Sequence, residues 1–506
     1  MTRLLAQVGE LTPIDVPEVE YAGMLPALVL IAGAVVLLVA VATTTGRRPM
    51  LWTFVSAATG VASLVAAYAV WADVQDEGPR RIVADALVVD GFSAFFMVLV
   101  SAAVILGALL AGGYLEREGF EGPEFHVLML LSASGAVVMA SANDLIVVFL
   151  GLEILSLALY VMAGFDARRA ASREAAMKYF VLGAFSSALF LYGVALVYGA
   201  TGSTNLASVR DFLAGNLAPN GGVLLAGAAL LLVGLGFKVA LVPFHTWTPD
   251  VYQGAPSPAT AFMAATAKAA GFAALLRVFF STFSTLQVDW RPLVWALAVV
   301  TLLVGSVLAV VQTDIKRMLA YSSISHAGYV LIGLQAASDK GIAGSLFYLL
   351  AYTFMVLGSF AVVTVVGRRG DADHDLSAYR GLAARRPALA FAFTVFLLSQ
   401  AGVPFTTGFL AKFYVISAAV EAESYALGLV GMLAAVIAAF FYLRITVLMY
   451  AQPTEVEAAA DATPARRLPV PVTTGVVVAA AAAFTVVFGL IPSPMIEFAR
   501  DATLML

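Results

Sequence analysis

The sequence predicts an all-α integral membrane protein of about fourteen transmembrane helices, and three observations predict it. Hydrophobic residues fill 61% of the 506 positions and charged residues only 12%, too little polar surface to cover a water-soluble domain. The apolar residues come in runs close to the roughly 20 needed to cross a bilayer. Glycine, proline and charge clusters separate those runs.

The first run, 21–43, follows an acidic lead (Glu10, Asp15, Glu18, Glu20) that lacks the basic start of a signal peptide, so none is expected. The second, 49–72, opens on Pro49, a residue tolerated at the first helical position, and stops before Asp73. The third, 88–113, stops before Glu116-Arg117-Glu118. Runs 125–142 and 144–164 are divided only by Asn143 and Asp144, the weakest split in the chain. Run 175–199 stops before Gly202-Ser203, and run 222–247 contains Lys238 and Pro243. Run 256–280 contains Lys268, and Asp314 divides 291–312 from 315–335. Run 341–366 meets Gly367-Arg368-Arg369, and 387–418 contains Pro404 and Lys412. Runs 424–450 and 470–492 complete the set.

The loops on one side, including Arg47, Arg48, Arg168, Arg169, Lys316, Arg466 and Arg467, carry sixteen Lys and Arg; those on the other, including Arg3, Arg80 and Arg291, carry seven. The positive-inside rule places the richer side in the cytoplasm, and an even helix number then sends both termini to the outer face. Arg277 and Arg444 lie near helix ends, where they are expected to snorkel.

Three of the six lysines, Lys238, Lys268 and Lys412, fall deep in apolar runs. A charge near the bilayer centre costs about 2.5–3.5 kcal/mol on insertion scales. Lysine, unlike arginine, gives up its proton readily when buried. Glu153 is the acid nearest a helix centre, and Lys238 is its natural partner; a static pair fastening two helices is the alternative. Val242-Pro243-Phe244-His245-Thr246 recurs as Val403-Pro404-Phe405-Thr406-Thr407. Each copy should break its helix, because Pro243 and Pro404 remove a backbone donor. Paired broken helices mark transport paths, although a proline that merely kinks a helix is the plainer reading. His326, in Tyr321-Ser322-Ser323-Ile324-Ser325-His326, is either a proton relay or a packing residue. His245 is placed at an uptake mouth, and His126 and His374 read as solvated.

No cofactor or metal is expected on this chain. It has no cysteine, and its four histidines lack ligand spacing. The glycine motif Gly234-Leu235-Gly236 lies inside an apolar run rather than a nucleotide-binding turn. A net charge of −4 offers nothing to nucleic acid.

Three stretches carry a resemblance. They are Lys178-Tyr179-Phe180-Val181-Leu182-Gly183-Ala184-Phe185-Ser186-Ser187-Ala188, Pro243-Phe244-His245-Thr246-Trp247-Thr248-Pro249-Asp250-Val251-Tyr252-Gln253-Gly254-Ala255-Pro256, and Asp314-Ile315-Lys316-Arg317-Met318-Leu319-Ala320-Tyr321-Ser322-Ser323-Ile324-Ser325-His326. Together they resemble the antiporter-like membrane subunits of proton-pumping NADH–quinone oxidoreductase, respiratory complex I. The Thr248–Gly254 form and Lys412 look like the N branch rather than its M and L paralogues.

The resemblance implies fourteen helices with broken helices 7 and 12, and two inverted five-helix repeats at 125–280 and 291–450. N-terminal helices at 1–113 and a C-terminal helix at 470–506 flank them. It implies Glu153, Lys238, Lys268 and Lys412 as a proton pathway, with NADH, FMN, iron–sulfur clusters and quinone on other subunits. It also implies a bacterial inner-membrane location and, as partners, other membrane subunits (a paralogous antiporter-like one among them) and membrane lipids. The expected function is proton translocation driven by quinone reduction elsewhere. A monovalent cation/proton antiporter subunit and a non-transporting scaffold are the rival readings.

Overall fold

A computed structural model describes residues 19–43, 48–215, 221–452, 469–502 and 504. Arg3, Arg47, Arg466, Arg467 and the acids Glu10, Asp15 and Glu18 lie outside the described residues.

Helices α1 (Tyr21–Thr43), α2 (Pro49–Glu77) and α3 (Gly91–Glu118) come first, with a short antiparallel hairpin of β1 (Arg80–Ile82) and β2 (Leu87–Val89) between α2 and α3. Then follow α4 (Glu124–Ser141), α5 (Leu145–Ala163), α6 (Ala170–Thr201), α7 (Leu206–Gly215), α8 (Gly221–Lys238) and α9 (Trp247–Gly254). The next span, Ser257–Thr282, consists of α10 (Ser257–Phe262), a π-helical stretch at Met263–Ala267, α11 (Lys268–Leu276) and a second π-helical stretch at Arg277–Thr282. After it come α12 (Gln287–Val310), α13 (Ile315–Gln335), α14 (Asp339–Val366), α15 (Leu382–Arg385), α16 (Pro387–Ala401), α17 (Thr407–Glu421), α18 (Tyr425–Tyr450), α19 (Val472–Leu490) and α20 (Ser493–Asp501).

Each of the fourteen apolar runs contains helix, and twelve described helices are long and apolar enough to cross a membrane. The run 315–335 falls outside the twelve because Lys316, Arg317, His326 and its serines lower its hydropathy. The run 387–418 falls outside because it is split into α16 and α17, of 15 residues each. The slender division at Asn143-Asp144 holds: Asp144 caps α5 by accepting from the Ile146 N–H at 2.8 Å.

The innermost elements are the Ser257–Thr282 span, buried throughout its apolar window, and α14. Exposed long apolar side chains concentrate on α1, α5, α6, α12 and α18. Polar groups are therefore collected along the central span, where neighbouring helices rather than lipid must satisfy them.

Four expectations are corrected here. Arg277 does not snorkel: it is 3% exposed and forks onto Asp90 through two 2.9 Å hydrogen bonds, while its Nε and Nη2 reach the Ala140 carbonyl. Its helix end turns inward because the second π-helical stretch packs against α7 instead of reaching the surface. His126 is buried with its Nε2 3.3 Å from Thr53 Oγ1, and His374 is buried 3.0 Å from Asp371. His126, in the first turn of α4, packs against α2, and His374 folds onto Asp371 within its own loop. Lys316, counted among loop charges, is fully buried against Asp371 at 3.1 Å.

Candidate functional site

Lys238 is the last residue of α8, so the first break begins before the proline rather than at it. Ala240 adopts a left-handed conformation (φ 63°), the Val242–Pro243 bond is cis, and helix resumes at Trp247. A residue ahead of proline resists helical geometry, and here the unwinding extends back to Lys238. The freed backbone is re-satisfied from the side: Trp247 Nε1 donates to the Phe237 carbonyl at 2.9 Å, and the Val242 N–H donates to Thr301 Oγ1 at 3.1 Å.

The Lys238 ammonium donates to Ser156 Oγ at 2.8 Å and to the Tyr179 hydroxyl at 3.1 Å. The Tyr179 ring stacks on Trp247 at 4.5 Å, tying the lysine's partner to the broken segment. Glu153, at the middle of α5, is half-buried and accepts from the Ser187 hydroxyl. Among the described residues Glu153 and Lys238 form no ion pair: the carboxylate is held by Ser187, the ammonium by Ser156 and Tyr179. A cavity of about 10 Å³, at the lower limit for one water, is lined by Ser156, Lys238 and the Ser187 that holds Glu153. His245 sits half-buried in the break, its buried Nδ1 without a partner among the described residues.

Lys268 follows the first π-helical stretch directly and donates to the Ser323 carbonyl. Ser323 Oγ accepts from the Tyr352 hydroxyl at 2.7 Å, and the ammonium lies 5.5 Å from the Tyr352 ring. One turn on, Gly271 meets the Lys238 stem: a Cβ there would lie 3.4 Å from Lys238 Cγ. The two lysines thus flank one helix contact.

From Ser323 the polar track continues along α13. His326 Nδ1 is 2.6 Å from the Tyr348 hydroxyl and Nε2 is 3.2 Å from that of Tyr442. Tyr442 shares a hydrogen bond with Ser322 and donates to Gln400 Oε1 at 3.4 Å. Lys412 donates to the carbonyls of Gln400 (2.8 Å) and Ala401 (2.9 Å), the last two residues of α16. It caps the negative end of that half-helix, as a cation should.

The second break matches the first in kind. Gly402 (φ 93°) and Phe405 (φ 66°) turn the chain around Pro404, and Gly408 fits because a Cβ there would lie 1.9 Å from the Ser399 carbonyl. Lys412 itself stands in the regular helix α17. The aromatic hydroxyls of Tyr179, Tyr348, Tyr352 and Tyr442 and the amide of Gln400 went unnoticed in the sequence. Only the four-residue spacing of Tyr348 and Tyr352 hinted at them.

At one membrane face a buried charged node joins distant segments. Asp371 contacts Lys316, Arg169 (3.3 Å), His374 and the Ser257 hydroxyl (2.7 Å). Burial alone would raise the Asp371 carboxyl, but Lys316, His374 and Arg169 hold it well below the usual carboxylate range.

Residues 142–438 match the family model described as NADH:quinone oxidoreductase/Mrp antiporter, TM. NADH-quinone oxidoreductase subunit N of Trichlorobacter lovleyi is 45% identical over 418 residues, covering 83% of this chain and 84% of its own. A subunit N of Streptomyces griseus is 41% identical over 530 residues, covering 96% and 94%. A chain of respiratory complex I from Thermus thermophilus shares the fold with a TM-score of 0.78 at 33% identity, covering 93% and 98%. With the broken helices and the motifs already on the page, these matches mean that the chain belongs to the antiporter-like membrane subunits of NADH-quinone oxidoreductase, in the subunit N family.

Proposed function

We propose that this multi-pass membrane protein moves protons across the bacterial cell membrane, driven by quinone reduction in other subunits of the complex, and holds no redox site itself. One observation carries the reading. Three buried lysines lie at or beside helix discontinuities, and among the described residues none has a carboxylate within ion-pair distance. Unpaired buried ammonium groups add nothing to a scaffold and cost much to keep. Each instead donates to neutral oxygens that leave its proton free to move.

In this reading a proton reaches Lys238 past His245 and the first break. Glu153 is held by Ser187, which lines the same small cavity as Lys238. Closing Glu153 onto Lys238 favours the charged lysine, and opening the pair releases its proton. The proton passes to Lys268, along Ser323, Tyr352, His326 and Tyr442, and leaves by Lys412. The two breaks sit in equivalent places of two repeats, 125–280 and 291–450, with both chain ends on the outer face.

The test is NADH-driven proton uptake by inverted membrane vesicles carrying Lys238→Met or Glu153→Gln, normalised to assembled enzyme. Lost uptake without uncoupler is expected, with NADH oxidation retained when an uncoupler is added. Unchanged uptake with either variant removes that residue from the pathway.

A further inference from the structure

Where α12 begins, a recess of about 530 Å³ opens at the protein surface. Val288, Arg291, Pro292 and Trp295 lie on one face of the helix, three or four residues apart, and line it with Gln287 and Gln335. This is the end of a span, because the unbroken apolar run starts at Leu293. Trp295 lies one turn inward of Arg291, the depth at which aromatic rings anchor helices at the lipid–water boundary.

Two of the polar residues that line the recess are Arg291 and Gln335. The half-buried Arg291 donates its Nε to the Gln335 carbonyl at 3.0 Å, which fixes the guanidinium plane and leaves its terminal nitrogens for another acceptor. Gln335 is 6% exposed, and its buried Oε1 has no hydrogen-bond partner among the described residues. A buried acceptor without a donor costs about 1–3 kcal/mol, so its presence here calls for a ligand that brings one. The two groups ask for different things: the cation for an oxyanion and the amide for an N–H or O–H donor.

We infer that this recess binds the headgroup of a glycerophospholipid whose phosphate is paired by Arg291 and whose amine or hydroxyl donates to Gln335 Oε1. The exposed side chains of Val288 and Pro292 and the Trp295 ring take the start of an acyl chain. A bidentate guanidinium suits a phosphodiester. The volume is that of a headgroup with part of a chain and lies within the range of small-molecule pockets. Phosphatidylethanolamine and phosphatidylglycerol supply the donor, whereas phosphatidylcholine does not.

The test uses the intact complex. Phospholipid retained after detergent exchange is counted by mass spectrometry in wild type, Arg291→Gln and Gln335→Leu. Both variants should lose a single phospholipid that wild type keeps. Phosphatidylcholine should displace that lipid roughly tenfold less well than phosphatidylethanolamine, the worth of one hydrogen bond to a charged donor. A photo-crosslinker in place of Val288, in an otherwise unaltered chain, should yield a lipid adduct, and this remains decisive if the other variants fail to assemble. Equal retention in all three proteins overturns the inference, and so does a crosslink to the polypeptide of a neighbouring subunit.

Discussion

Arg277→Met tests how the α3 end is fastened to the central span. The guanidinium makes two charge-assisted hydrogen bonds to Asp90 at 2.9 Å, and the partners are 3% and 0% exposed, so solvent screens neither. Removing one member of such a pair leaves a buried, uncompensated carboxylate and costs about 3–5 kcal/mol. The Ala140 carbonyl also loses two donors. In Arg277→Met with Asp90→Asn the charge is gone. The asparagine can still cap α3, where the Asp90 side chain accepts from Ser93 N–H at 2.8 Å. Only the orphaned carbonyl remains, at about 1–3 kcal/mol, so the double variant should recover roughly half the loss or more. The assay is the apparent unfolding midpoint of detergent-solubilised complex, together with its yield on native gels. A single variant indistinguishable from wild type, or a double variant no better than the single, would refute the reasoning.

Tyr442→Phe deletes the hydroxyl between His326, Ser322 and Gln400; pumped protons per NADH should fall, with transfer slowed roughly tenfold for one lost hydrogen-bonded link, while uncoupled NADH oxidation persists. Asp371→Asn deprives the fully buried Lys316 of its carboxylate and should cost about 3–5 kcal/mol of stability. Because the folded carboxyl lies below its unfolded value near 4, its contribution is complete above that pH and is lost as pH falls through the folded value. The stability gap between wild type and Asp371→Asn should therefore stay flat from about pH 8 to 5 and narrow only below about pH 4, as followed by thermal unfolding. Gly408→Ala should block assembly or cost more than about 3 kcal/mol, because its Cβ meets the Ser399 carbonyl. Gly199→Ala, with nothing within 4 Å, should be neutral or gain about 0.5–1 kcal/mol.

The positions of Lys238, Lys268 and Lys412 were legible because a charge inside an apolar run is conspicuous without any knowledge of its neighbours. So were the two breaks, since proline acts on its own turn. The partner assigned to Lys238 was less legible. Glu153 and Ser156 lie three residues apart on the same face of α5, so sequence alone could not choose between them, and packing gave the ammonium to Ser156 and Tyr179. Arg277 read as a helix-end arginine because nothing local shows that its end is covered.

The helical runs and the prolines that interrupt two of them were determined by the sequence itself, because each follows from run length and backbone chemistry within one or two turns. The polar track was decided by the tertiary structure. His326 meets Tyr442 across 116 residues and Arg277 meets Asp90 across 187, contacts that exist only once separate helices are packed. In a bilayer core a polar group that does not find such a partner has no water to turn to, so helix packing, rather than local propensity, settles which hydroxyl stands beside which lysine.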